Sequence, residues 1–214
     1  MKTLLAAIAL ALSCPIITAA AQDSAAPVSD ALRANEKRAE RNLVAAAEDT
    51  PADKYGFKPT PAQLSFGEVL VHLAGGNDFL CSTISGTPAP KRAKVAATEP
   101  KQKLVDRLKE SFQFCESALA KLDDSGLSAQ VPFFGEGKVS RATAVLAATE
   151  DWADHYSQLA IYMRLNGLLP PTAKRRAGLR SPSEWRQRVK SSPPARCSNA
   201  ACPTRVIVAI LSTI

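Results

Sequence analysis

The 214-residue chain has only two histidines, so any imidazole-based acid–base or metal chemistry must use His72 or His155. His72 lies in VHLAGGNDFLC (71–81) and His155 in DWADHYSQLAIYMRLNG (151–167), both mid-helix by pattern. Asp151 and His155 are four residues apart, which on a helix points both side chains the same way with Cβ atoms roughly 5–6 Å apart. Two ligands of one metal can stand at that spacing. Ala148, Trp152, Leu159 and Tyr162 line the same broad inward face. A carboxylate among them is costly to bury unless it meets a cation, a metal or several donors. Bringing His72 against this pair converges two imidazoles and a carboxylate inside the fold. Such a set leaves coordination positions open, as catalytic zinc and non-haem iron require. Glu68, Gly76 and Phe79 share the face of His72, whereas Cys81 points away from it. Gly75 and Gly76 each cost a helix roughly 1 kcal/mol relative to alanine; close helix approach or room for a ligand would account for both. The same residues also suit a plainer reading, with hydrogen-bonded core histidines and a local Asp151–His155 ion pair.

Positioning these groups needs helices, and the pattern supplies four. The first runs from a cap at Ser29 or Asp30 to about Glu48, rich in Ala, Leu, Arg and Glu. The second starts at Ser65, with Glu68 three residues on completing a capping box, and runs to about Ser85. The third spans about Pro100 to Asp124, with Leu104, Leu108, Ser111, Cys115, Leu119 and Leu122 on one face. The fourth spans about Ser140 to Asn166 and stops at Gly167, with Pro170-Pro171 beyond. No segment alternates polar and apolar residues long enough to suggest a sheet. In the loop from Gly126 to Gly137, Val131, Phe133 and Phe134 should tuck against the helices. The expected fold is all-α, a four-helix bundle. Its long connecting loops predict at least one crossover connection.

The two ends differ from this body. Lys2, the apolar run Leu4 to Leu12 and the Ala19-Ala20-Ala21 site occur in the order of an export signal over residues 1–21. The chain is therefore expected to be exported, periplasmic or secreted. Anchoring as a lipoprotein at Cys14 fits poorly, because Ala11-Leu12-Ser13-Cys14 is a loose lipobox and Pro15 follows. From Thr172 onward there are nine Lys/Arg and one acid, so the net charge of +7 belongs to a tail, and the rest of the chain is nearly neutral. Residues 172–214 read as a basic, disordered tail with a sticky apolar end at Val206 to Leu211. No apolar run reaches the roughly 18–20 residues of a membrane span. The charge distribution argues against a nucleic-acid-binding domain.

The stretches LSFGEVLVHLAGGNDFLCS (64–82), KLVDRLKESFQFCESAL (103–119) and DHYSQLAIYMRLNGLLPP (154–171) resemble the DinB-like superfamily. The resemblance implies that residues 22–171 form a four-helix bundle. Many members bind a divalent metal through three histidines, one from the second helix and two, four residues apart, from the last. His72 and His155 match the first and third of these positions. Asp151 takes the second, a departure that leaves zinc, nickel or iron as candidate metals with altered affinity or none. The implied activities are thiol S-transferase-like or hydrolase-like; hydrolysis suits an exported protein better, as cytoplasmic thiols are scarce there. The substrate is a small molecule of unknown identity, and a homodimer is open. The alternative is a non-catalytic bundle that binds a ligand or partner after losing the full site. Cys81 and Cys115 could meet if their helices pack antiparallel; a disulfide and two buried thiols are both compatible with their positions.

Overall fold

The computed structural model describes residues 24–135 and 137–178. The proposed signal at residues 1–21, Cys14 and the apolar end lie outside the described residues. Helix α1 is Pro27–Asp49, α2 Phe66–Ser85, α3 Lys101–Leu119, α4 Arg141–Leu165 and α5 Pro171–Gly178.

Each helix begins and ends for local reasons. At α2, the Ser65 side chain accepts from the Glu68 backbone N–H while the Glu68 carboxylate accepts from Ser65 N–H, and Gly86 closes the helix at φ 75°. Ser140 caps α4, and Gly167 at φ 73° ends it. The start of α1 departs from expectation. Its N-cap position, Ala26, has no side-chain acceptor to offer, and Ser29 lies inside the helix. Asp124, in a 3₁₀ turn after α3, substitutes: its carboxylate accepts from Val28 N–H (2.9 Å), Ser29 N–H (2.8 Å) and the Ser29 hydroxyl (2.6 Å). Helix α3 also stops earlier than expected, at Leu119, so that Asp124 can turn back to α1.

The helices pack α1 on α3 and α4, and α2 on α3 and α4. Their directions follow from the residues that meet. Between α2 and α3 the partners keep a constant separation of 33–34 residues, from Ala74–Arg107 through Asn77–Ser111 to Cys81–Cys115. These two helices therefore run parallel, and the antiparallel packing expected for the cysteines is corrected. The residues between α2 and α3 return the length of the bundle as a crossover. Arg92 pins that strap to Asp78 and Glu110. The strap then passes so close to the start of α2 that a Cβ on Gly67 would sit 2.8 Å from the Ala97 carbonyl oxygen. Helix α3 runs against α1, with Lys37 near Glu116 and Lys109 on Glu48. Helix α4 runs against α2, because Trp152 meets Asn77 and Tyr162 meets Leu64. The order is up, down, down, up.

The core is continuous through all four helices, with Leu43, Leu73, Phe112, Leu159 and Tyr162 fully or almost fully buried. Cys81 and Cys115 are disulfide-bonded within it. The expected absence of strands is corrected by one short hairpin, Gln130–Pro132 (β1) with Lys138–Ser140 (β2), antiparallel with Val131 opposite Val139. Three-residue strands leave too little alternation to read in a sequence. Val131 is buried as expected, but Phe134 is 61% exposed.

The segment read as tail begins in helix. In α5, Lys174 reaches Asp49 (3.0 Å) and Arg175 reaches Asn42 (2.5 Å), both on or at α1. Thr172 exchanges two hydrogen bonds with the Tyr156 hydroxyl. Among the described residues no helix is long and apolar enough to cross a membrane.

Candidate metal centre

Side-chain position in the centre depends on the register between α2 and α4, and a buried polar residue fixes that register. Asn77 is fully buried; its carbonyl oxygen accepts from the Trp152 indole N–H (2.7 Å) and its amide donates to the Ser111 hydroxyl (3.0 Å). A slip along either helix would orphan these groups, at about 1–3 kcal/mol each. Gly76 and Asp151 are the chain neighbours of Asn77 and Trp152, and in this register Gly76 lies beside the Asp151 side chain.

The three expected residues come together. One donor atom each from His72, Asp151 and His155 lie within 4.8 Å of one another, and the two imidazole rings stand 4.8 Å apart, tilted by 34°. Their location differs from the interior one expected. Trp152, Leu73 and Leu159 fill the core at this level, so Asp151 and His155, about one residue's rotation around α4, stand at its edge, half-buried. His72 is exposed. The centre is a seam between α2 and α4, open to solvent on one side.

The Nδ1 atom of His155 is 2.8 Å from the Asp151 backbone carbonyl and 3.4 Å from its carboxylate Oδ1. A carbonyl only accepts, so Nδ1 carries the proton and donates it, leaving the Nε2 lone pair free. Metal-ligating histidines are commonly oriented by such a bond. The other carboxylate oxygen of Asp151, Oδ2, is buried without any hydrogen-bond partner. Burial pushes the Asp151 carboxyl up from its ordinary value, against the opposing pull of His155 and His72. Space beside the orphaned oxygen is left by Gly76, where a Cβ would stand 3.5 Å from Oδ2. That is ordinary contact, so helix packing alone does not require glycine there. Gly75 faces open space. Glu68 shares His72's face but is held by its capping box and by Lys58 at 2.9 Å, so it does not join the donor set.

Two imidazoles, a carboxylate with an unpartnered buried oxygen, and a gap beside that oxygen suit zinc, nickel or ferrous iron. Comparison with known proteins identifies the family of the chain. Residues 37–159, over half of the chain and including all three donors, match the DinB superfamily. The chain belongs to the DinB superfamily. Solved DinB-like proteins share its fold. One from Bacillus subtilis is 19% identical with a TM-score of 0.52, covering 64% of this chain and 92% of that one. One from Bacillus cereus is 14% identical with a TM-score of 0.55, over 66% and 95%. A conserved protein from Enterococcus faecalis is 19% identical with a TM-score of 0.53, over 64% and 96%. No curated protein matches the chain. Within the DinB match, the parts that sequence reasoning overlooked are Asn77, which pins the register, and the Asp124 cap. Asn77 had one signal available, an amide at the apolar-facing spacing of α2.

Proposed function

We propose that this DinB-superfamily chain is an exported, divalent-metal-dependent enzyme in which His72, Asp151 and His155 hold the metal. The observation that carries the reading is the approach of three possible donors to within 4.8 Å of one another, one of them a carboxylate whose second oxygen is buried with no partner. A bound divalent ion would act as a Lewis acid, lowering the pKa of a water or thiol beside the substrate. The chain's own part is to orient and to expose. His155 is fixed in one tautomer by the Asp151 carbonyl, Asp151 is held against Gly76, and His72 leaves the solvent side open to a small substrate. Hydrolysis is the favoured reaction and thiol transfer the second. The Cys81–Cys115 disulfide supports export, since such bonds persist in oxidising compartments, where low-molecular-weight thiol cosubstrates are scarce.

The test is metal analysis with thermal unfolding. Zinc or nickel at a hundredfold excess over Kd should add about 2.7 kcal/mol of stability, roughly 5–10 °C in Tm, with one ion per chain. His155→Ala and Asp151→Asn should remove both effects. Absence of bound metal and of any shift in the unmutated protein leaves the other reading, a non-catalytic bundle in which Asp151 and His155 are a local pair.

A further inference from the structure

Three of the chain's seven phenylalanines gather at one place on the surface, and that place continues the metal seam. Phe79 stands seven residues after His72 on α2, on the same face and about 10 Å along the helix axis. Phe133 and Phe134 come from the β1–β2 connection and close over it. The Phe79 and Phe134 rings are 4.3 Å apart, and Phe133 meets Phe134 edge-on at 4.7 Å. Phe134 nevertheless keeps 61% of its surface in water. It also has φ 31°, the only non-glycine residue with positive φ among those described, followed by Gly135 at φ 80° and Gly137 at φ 86°. A bulky side chain in that region is strained, and such strain persists where surrounding structure imposes it. Core formation does not account for it, because the ring so presented is mostly outside the core. Between His72 and Phe79, α2 carries Gly75 and Gly76, so no side chain from those positions blocks the path from the donors to the rings.

We infer that the Phe79–Phe134 platform is the recognition surface for the substrate of the same seam. This rests on the metal reading above. The substrate class is a small molecule with an oxygen or sulfur donor at one end and a planar apolar group, an aryl ring or its equivalent, about 10 Å from the metal. The donor end meets the open coordination positions at His72, Asp151 and His155. The backbone of Gly75 and Gly76 floors the path, and the ring stacks on Phe134. Aromatic stacking prefers offset or edge-on approach at such separations, and the 61% exposure of Phe134 leaves surface for it.

Calorimetric titration of the zinc-loaded full chain tests this with two probes, acetohydroxamate and 4-phenylbutanohydroxamate. The second adds an aryl group at the required reach. The phenyl probe should bind about tenfold tighter or more. Phe134→Ala and Phe79→Ala should each bring the ratio of the two affinities close to one, and Phe134→Tyr should restore it. The ratio is the readout because loss of metal or of fold weakens both probes together. Equal affinities in the unmutated, zinc-bound protein overturn the inference and leave the metal reading standing. Failure to take up zinc overturns both. If Phe134→Ala abolishes a dimer seen by sedimentation and leaves the ratio unchanged, the platform is an interface between copies and the inference falls.

Discussion

Reduction of the Cys81–Cys115 disulfide should lower the stability of the protein by about 3–4 kcal/mol. The bridge joins positions 34 residues apart, and both cysteines are fully buried. In the chain-entropy account, closing a loop of this length restricts the unfolded ensemble by roughly that amount, less any strain in the folded state. The topology amplifies the role. Helices α2 and α3 run parallel and are connected by a strap that crosses the length of the bundle, so no tight turn holds them in register. The bridge and the Asn77–Ser111 hydrogen bond do so instead. Urea unfolding with and without reductant measures the effect. A Cys81→Ala/Cys115→Ala double variant should match the reduced protein, plus a cavity cost from the missing sulfurs. An unchanged midpoint on reduction would show that the bridge is absent in solution.

The second large effect belongs to Glu36. Leu32, Glu36, Ala39, Leu43 and Ala46 occupy the core face of α1, and the glutamate among them is only 2% exposed. Its Oε1 has no partner. Burial, reinforced by Glu40 and Glu116, pushes its carboxyl from 4.5 up to about 7, with Lys37 pulling weakly the other way. A group that binds its proton more tightly when folded favours folding in the protonated form. The associated stability is fully present below the unfolded value near 4.5 and is lost as pH rises through about 7. The difference of about 2.5 pKa units corresponds to about 3 kcal/mol. Glu36→Gln keeps the shape and removes the titration. Relative to the unmutated protein it should gain about 3 kcal/mol between pH 4 and pH 8. Urea midpoints for both proteins at several pH values decide it; parallel profiles contradict the account.

Helix existence was legible because amphipathic spacing and punctuation agreed. Ser65 with Glu68, Gly86, Ser140 and Gly167 all stand at helix ends as their chemistry requires. The donor set was legible for a similar reason: i, i+4 spacing fixes Asp151 beside His155 whatever the fold around them. Depth in the core was not legible. A face 100° wide contains both Trp152 and Asp151, and only packing decides which of the two is enclosed. The relative direction of α2 and α3 was hidden too, because a long connection permits either sense. The same limit hid Asp124, which caps a helix far away in sequence, and Glu36, whose periodic position argued for burial against its charge. The α5 helix is basic enough to read as tail. It is held by Asn42, Asp49 and Tyr156, which no local pattern near it reveals.

The most direct measurement of the central claim is anomalous scattering at the zinc edge from crystals grown with zinc. A single strong peak should lie in the α2–α4 seam, about 2.0–2.2 Å from an imidazole nitrogen of His72, a carboxylate oxygen of Asp151 and Nε2 of His155. It should vanish in His155→Ala. Zinc bound only elsewhere, or a seam without a peak and with the His72 ring turned to solvent, would contradict the assignment of these three residues as a metal centre.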